Sequence, residues 1–247
     1  HDTASAVAAV PAEGGRWAYI SSGTWSLVGV EAPAPVISPA SLAANFTNEG
    51  GVGGAVRFLK NVTGLWLLQG CRKAWAAAGD QATYEELAAA AETAPRFAAL
   101  IDPDDPLFLN PPDMPEAVAA YCRRTGQTPP STKAATVRAV LESLALKYRT
   151  VLDQLRDVLG HPIDRVHIIG GGSRNALLCR LTAEASGLPV VAGPAEATAV
   201  GNILVQAMAL GLVDSPAEIR RIVRESFAPS LYEPSGPAAP WDAAYRR

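Results

Sequence analysis

A short apolar run that stops at three consecutive glycines constrains the fold of this chain most strongly. The run covers residues 166–169 and is followed by Gly170-Gly171-Gly172. Apolar residues then recur with the spacing of a helix, at Leu177, Leu181, Ala185 and Leu188. Ser173 is predicted to cap the first turn of that helix. A strand, a glycine turn and a helix N-terminus in this order bring backbone N–H groups together and leave room for an anionic ligand such as a phosphate.

The glycine turn does not by itself decide which nucleotide-binding fold is present. A dinucleotide-binding turn has the pattern G-x-G-x-x-G, and Asn175 stands where the third glycine would be. The next apolar run, residues 188–192, ends in Gly193-Pro194 and offers no acidic residue for a ribose. No G-x-x-x-x-G-K-[ST] loop occurs in the chain. A turn that only packs a helix against a sheet therefore stays an alternative.

The composition favours a helix-rich α/β domain with a buried core. Of 247 residues, 49% are hydrophobic and 6% aromatic, and the net charge is −3. Without a basic stripe we expect no nucleic acid partner, and no apolar run is long enough to predict a membrane span. The three cysteines, Cys71, Cys122 and Cys179, are far apart, and the three histidines are scattered. Neither a disulfide framework nor a zinc site is indicated, so we expect a reduced, cytoplasmic setting.

The order of the predicted elements is that of a mixed sheet with helices on both faces. Residues 16–21 and 24–31 are predicted strands, joined as a hairpin through Ser22-Gly23. Further strands are predicted at 55–59, 166–169 and 188–192, whereas residues 46–54 are polar and glycine-rich and are assigned no strand. Predicted helices cover residues 2–10, 63–78, 84–92, 115–124, 196–210 and 216–225. The longest helix begins at Ser131 and carries an apolar stripe from Val137 to Val158, before Gly160 and Pro162 stop it.

Several stretches, in chain order and over nearly the whole chain, resemble the C-terminal half of an FGGY carbohydrate kinase. They are residues 1–7 (His1-Asp2-Thr3-Ala4-Ser5-Ala6-Val7), 19–27 (Tyr19-Ile20-Ser21-Ser22-Gly23-Thr24-Trp25-Ser26-Leu27), 45–51 with Asn48-Glu49-Gly50-Gly51, 59–61, 64–69 (Gly64-Leu65-Trp66-Leu67-Leu68-Gln69), 142–146 and 167–202. The resemblance implies an α/β domain of the ribonuclease H-like (actin-like ATPase) fold. It also implies that residues 1–247 form a C-terminal ATP-binding domain and that a sugar-binding domain precedes His1. The start at His1 rather than at methionine fits a chain cut at a domain border.

The resemblance implies a catalytic base and three sugar contacts. Asp2 corresponds to the base of the family, since a carboxylate can accept the proton of a sugar hydroxyl that attacks the γ-phosphate. His1, Thr3 and Asn61 correspond to contacts with the sugar. The alternatives are a helix-capping or dipole role for Asp2, an ordinary N-cap for Asn61, and an exposed chain end for His1.

The resemblance also implies the residues that bind ATP. They are Gly23, Thr24, Gln69, Gly171 and Asn175. Thr24 lies at the hairpin bend, a concave place where a hydroxyl and a backbone N–H can meet the γ-phosphate. Alternatively, Thr24 is only a β-branched residue that starts a strand, and Gln69 is only a polar residue on a solvated helix face. The implied cofactors are ATP and Mg²⁺, with no metal ligand assigned within this chain.

The activity that the resemblance implies is the phosphorylation of a small ketose by MgATP, with the C1 hydroxyl of L-rhamnulose as the expected acceptor. Two alternatives stay open. One is an FGGY kinase that acts on xylulose, fuculose or glycerol. The other is a non-catalytic nucleotide switch of the actin or chaperone type, which keeps the hairpin and the glycine turn and needs no base at Asp2.

Overall fold

The computed structural model describes residues 2–247, which form a mixed sheet with helices on both of its faces. The strands are β1 Trp17–Ser22, β2 Trp25–Ala32, β3 Thr47–Gly50, β4 Val56–Thr63, β5 Arg165–Ile169, β6 Val190–Ala192 and β7 Ser230–Tyr232. The helices are α1 Asp2–Ala8, α2 Pro39–Ala43, α3 Trp66–Ala77, α4 Tyr84–Glu92, α5 Met114–Arg124, α6 Lys133–Leu159, α7 Ala176–Ser186, α8 Ala197–Ala209, α9 Pro216–Phe227 and α10 Ala239–Tyr245. Short 3₁₀ turns cover Val52–Gly54, Pro106–Phe108 and Gly171–Arg174.

The strand order in the sheet is β3-β4-β2-β1-β5-β6-β7. Strands β1, β5 and β6 run parallel to one another, and the remaining pairs are antiparallel. The parallel centre needs crossover helices, and α6 and α7 supply them between β4 and β6. The mixed sheet predicted from the order of elements is therefore confirmed.

The two faces of the sheet bury two different cores. Because successive strand residues point to opposite faces, β1 contributes to both of them. Ala18 and Ile20 pack into the larger core, with α3 to α7 and α10. Trp17 and Tyr19 pack into the smaller core, with α1, α8 and α9. Helices on both faces were predicted, and this prediction is confirmed.

The sequence missed the elements that have no strong apolar pattern. Strand β3 is a polar edge strand that is held in the sheet by its ladder with β4. Its residues do not alternate between apolar and polar, so the sequence pattern does not predict a strand there. Strand β4 continues to Thr63 because its second half pairs with β2, and α3 begins only at Trp66 instead of at Thr63. The short elements β7 and α10 were also not predicted. No helix within residues 2–247 has the length and apolar character of a membrane span.

His167 in β5 is a buried histidine whose ring nitrogens have no hydrogen-bond partner among the described residues. Its ring lies edge-on to Trp17, with centroids 5.9 Å apart. Burial, together with the positive charges of Arg165 and Arg220, lowers the pKa of His167 to about 3. The histidine is therefore neutral in the folded chain at neutral pH.

We expect the stability of the chain to fall as the pH drops below about 6.5, and His167→Leu to reduce that fall. Since the folded pKa is lowered, the unfolded chain binds the extra proton between the two pKa values, so stability present above pH 6.5 is lost on acidification. The loss from this group is about 2 kcal/mol at pH 5. Urea unfolding of both chains at pH 7.5 and pH 5.0 measures the difference. The same loss in wild type and variant would contradict the assignment to His167.

Candidate functional site

A cleft of about 470 Å³ opens where the hairpin bend, the glycine turn and helices α3, α4 and α7 meet. Four of the residues predicted to bind ATP line it: Gly23, Gln69, Gly171 and Asn175. The fifth, Thr24, lies beside it and donates a hydrogen bond from Oγ1 to Oε1 of Gln69, over 3.2 Å. These five residues come from three separate parts of the sequence, and the fold brings them to one place.

The start of α3 holds the hairpin bend in position. The backbone N–H of Leu65 donates to the carbonyl oxygen of Gly23 over 2.9 Å, and that of Trp66 donates to the carbonyl oxygen of Thr24 over 3.0 Å. These bonds use N–H groups that have no partner within the helix. Gln69, one turn further along α3, is half-buried and faces the bend, so it does not lie on a fully solvated helix face.

The glycine turn leads into a 3₁₀ turn, and α7 begins only after it. Asn175 caps α7, because its Oδ1 accepts a hydrogen bond from the N–H of Leu178 over 2.9 Å. Ser173 was predicted to be the cap, and that prediction is wrong: its hydroxyl donates to the carbonyl oxygen of Gly170 over 2.7 Å. The 3₁₀ turn delays the helix by two residues, from the predicted cap at Ser173 to Asn175, and nothing in the apolar spacing marks such a delay.

Two glycines of the turn have different surroundings. A Cβ atom on Gly172 would lie 2.0 Å from Oγ of Ser22, so this glycine is needed for the close approach of the turn to β1. A Cβ atom on Gly171 would have no atom within 4 Å, although Gly171 lines the cleft. Packing therefore explains Gly172 but not Gly171, and the space beside Gly171 is open to a ligand.

We expect Gly171→Val to weaken ATP binding by at least about tenfold and to leave sugar affinity nearly unchanged. The added side chain fits the folded chain and occupies the part of the cleft that a phosphate or ribose would approach. Calorimetric titration with ATP and with the sugar measures both affinities. Gly15→Val is the matched control, since its Cβ also meets no atom within 4 Å but lies away from the cleft. Unchanged ATP affinity in Gly171→Val would mean that the turn serves only for packing.

Helix α4 forms a wall of the cleft that sequence reasoning did not assign to the site. Its bounds, Tyr84–Glu92, were predicted, but no motif distinguishes it. Tyr84, Ala88 and Ala89 face the cleft, opposite Leu177 of α7. The guanidinium of Arg72 lies 4.7 Å from the centre of the Tyr84 ring. Residues 88–91 are four consecutive alanines, and small residues leave space beside a helix, so this run is a signal in the sequence that could have indicated the wall.

Among the described residues predicted for the base and the sugar, Asp2, Thr3 and Asn61 do not line this cleft. Asp2 is the exposed first residue of α1, and Thr3 accepts a hydrogen bond at Oγ1 from Nη1 of Arg57 over 2.8 Å. His1 lies outside the described residues. Helix α1 packs closely on α8: a Cβ atom on Gly201 would lie 1.8 Å from the carbonyl oxygen of Ser5. This contact fixes the helix that carries Asp2.

Asn61 is an exposed residue of β4 on the face of the sheet that α1 covers. It has the same orientation as Leu59 and Arg57, since alternate strand residues share a face, and it pairs in register with Leu27 of β2. Along the strand it lies about 13 Å from Arg57, at roughly 3.3 Å per residue. Thr3, Arg57 and Asn61 thus follow one another along this face, and Asn61 is the nearest of the three to the hairpin bend that carries Thr24.

No group of three His, Cys, Asp or Glu side chains within residues 2–247 could hold a metal ion. The three cysteines in this part of the chain are free and buried.

A mixed sheet with a hairpin, a glycine turn and a cleft between them defines an α/β domain of the actin-like ATPase fold. Solved sugar kinases share it. The chain superposes with a TM-score of 0.72 on the xylulose kinase of Rhodospirillum rubrum, at 20% identity over 99% of this chain and 48% of that one. A gluconate kinase of Lactobacillus acidophilus gives 0.71 at 17% identity, over 99% and 48% of the two chains. The Plasmodium falciparum glycerol kinase solved with ADP gives 0.70 at 13% identity, over 98% and 47%.

The chain belongs to the FGGY family of carbohydrate kinases, whose C-terminal domain model matches residues 18–210. It is 53% identical to the rhamnulokinase of Bacteroides thetaiotaomicron over 99% of its own length and 50% of that protein. Identity to the rhamnulokinase of Pectobacterium carotovorum is 47%, over 95% of this chain and 46% of that one. For the rhamnulokinase of Bacillus subtilis it is 42%, over 95% and 48%. The chain thus spans about half the length of the curated relatives that it matches.

Proposed function

We propose that this chain is the C-terminal, ATP-binding domain of a two-domain kinase that phosphorylates L-rhamnulose at its C1 hydroxyl in L-rhamnose breakdown. The observation that carries the proposal is the cleft at the hairpin bend and the glycine turn, lined by four residues expected to bind ATP. The choice of sugar rests on the rhamnulokinase relatives at 42% to 53% identity. The second half of the enzyme, with further sugar contacts, would precede His1. A kinase of this type would work in the cytoplasm, where ATP is supplied.

In this proposal the cleft holds the nucleotide with its base against the apolar wall and its phosphates toward the glycines. Tyr84, Ala88 and Leu177 would contact the adenine, and Asn175 would lie near it. Open space beside Gly171 admits the phosphates or the ribose, and the N–H groups of the turn can donate to them. Thr24 at the bend would then donate its hydroxyl proton to the γ-phosphate in place of Oε1 of Gln69.

The proposed chemistry needs one proton acceptor on this chain. The C1 hydroxyl oxygen attacks the γ-phosphorus, the bond from that phosphorus to the bridging oxygen of ADP breaks, and the hydroxyl proton passes to the carboxylate of Asp2. Thr3 and Asn61 would orient the sugar on the face of the sheet that α1 covers. Mg²⁺ bound to ATP would neutralise phosphate charge.

A panel of acceptors tests the function of the full-length protein that contains this chain. ADP release is measured with L-rhamnulose, D-xylulose, L-fuculose and glycerol, each with MgATP. We expect kcat/KM for L-rhamnulose to exceed the others by at least about tenfold. A clear preference for another acceptor would change the proposed sugar substrate and leave the proposed kinase activity standing. ADP release that depends on no sugar would favour the nucleotide switch and overturn the proposal.

A further inference from the structure

Arg57 of β4 is a buried arginine that connects three segments of the chain. Its side chain is 2% exposed. Nε donates to the carbonyl oxygen of Gly50 over 3.0 Å, Nη1 donates to Oγ1 of Thr3 over 2.8 Å, and Nη2 donates to Oε2 of Glu49 over 2.8 Å. All three nitrogens of the guanidinium thus have acceptors. One acceptor is on α1, one is the carbonyl at the end of β3, and one is the carboxylate of Glu49, which pairs with Arg57 in the register of β3 and β4.

This arrangement depends on the shape of the arginine head group. A guanidinium is planar and presents its N–H groups in fixed directions, so it can hold three acceptors at once, here one on α1 and two on β3. A lysine ammonium at the same depth is a point charge without that fixed fork. Arg57 is too deeply buried to contact a sugar molecule itself, and its influence must pass through the groups that it holds.

The group that connects Arg57 to the proposed chemistry is Thr3. Thr3 follows Asp2 directly in the first turn of α1, and this turn begins the described part of the chain. In its middle, at Ser5, α1 is fixed by α8 through the close contact at Gly201. The hydrogen bond from Arg57 therefore anchors the end of the helix that carries the candidate base.

We propose that Arg57 is a positioning residue for phosphoryl transfer: it holds the first turn of α1, and with it Asp2, against the end of β3. The same guanidinium links Asp2 to the segment Asn48-Glu49-Gly50-Gly51, to which the catalytic scheme assigns no role. The role in transfer rests on the proposed kinase function, whereas the anchoring of α1 does not. Because a displacement of reacting groups by about 1 Å can lower a rate by about 100-fold, a loosened first turn should act on turnover.

The anchoring is tested by hydrogen–deuterium exchange on the full-length protein and its Arg57→Lys variant. We expect faster amide exchange in residues 2–8 and 47–51, and unchanged exchange in α3, which borders the nucleotide cleft. Unchanged exchange in residues 2–8 would overturn the proposal whether or not the protein is active. Faster exchange there in a protein that phosphorylates no sugar would support the anchoring and overturn only the proposed kinase function.

The catalytic consequence is tested by kinetics. Arg57→Lys should lower kcat by at least about tenfold with unchanged ATP affinity, and the double variant with Asp2→Asn should stay within about threefold of Asp2→Asn alone. Arg138→Lys is the matched control: Arg138 is also buried and paired, with Glu142, but lies in the larger core. It should lower the melting temperature and leave kcat unchanged. Wild-type kcat in Arg57→Lys, fully additive losses with Asp2→Asn, or an equal loss of kcat in Arg138→Lys would each overturn the positioning role.

Discussion

Asp2→Asn in the full-length enzyme should lower kcat by about 10²–10⁴-fold, the usual range for the loss of a general base. The amide has nearly the shape of the carboxylate but cannot accept the proton of the sugar hydroxyl at neutral pH. The fold should persist, because Asp2 is exposed and α1 is held by α8 and by Arg57 through Thr3. Steady-state kinetics at saturating sugar and ATP give kcat, and calorimetry should show ATP affinity close to that of wild type.

Asp157→Asn is the matched control for this experiment. Asp157 is an exposed carboxylate near the end of α6, a helix that packs on the opposite face of the sheet from α1, and its removal should leave kcat unchanged. An Asp2→Asn enzyme that keeps more than a third of wild-type turnover would remove Asp2 from the mechanism. An equal loss in both variants would point to a general effect of charge instead of a base.

The chain by itself should show no sugar phosphorylation above background, even where it binds ATP weakly. Phosphoryl transfer depends on groups positioned on both sides of the reacting atoms and on the exclusion of water when the two sides close. This chain carries the candidate base, the Thr24 bend and the Gly171 turn, and it spans about half the length of its curated relatives. The opposite side of the proposed active site would come from the preceding domain.

The measurement compares the chain alone with the full-length protein. Sugar-dependent ADP release is recorded for both at equal concentration, and circular dichroism checks that the chain alone is folded. Addition of the preceding domain should restore turnover. Robust ketose-dependent ADP release by the folded chain alone would show that the proposal of an active site formed by two domains is wrong.

Where the chain buries a regular apolar pattern, sequence reasoning predicted the structure well. Helix α6 keeps its stripe from Val137 to Leu155 fully buried, and α4 has the predicted bounds. The hairpin of β1 and β2 and the strand before the glycine turn were also predicted. In each case the signal is local, since side chains of one element must face one core.

The wrong predictions concern elements whose existence or bounds depend on a contact with a distant segment of the chain. Strand β3 exists because β4 offers it a ladder, and α3 starts late because residues up to Thr63 pair with β2. Ser173 and Asn175 are both good capping residues, but Ser173 lies within the 3₁₀ turn Gly171–Arg174, so Asn175 caps α7. Local propensity cannot distinguish such cases, because the competing states differ in their tertiary partners.

The sequence by itself determined the class of fold, the glycine turn and the family, because these depend on local patterns and on motifs in a fixed order. Only the tertiary structure decided which residues meet. It brought Gly23, Gln69, Gly171 and Asn175 into one cleft, added the wall from α4 and left Asn61 on the other face of the sheet. It also separated two adjacent glycines, one needed for packing and one beside open space. The physical reason is that a contact depends on the distance between side chains in space, and sequence spacing specifies that distance only within a single helix or strand.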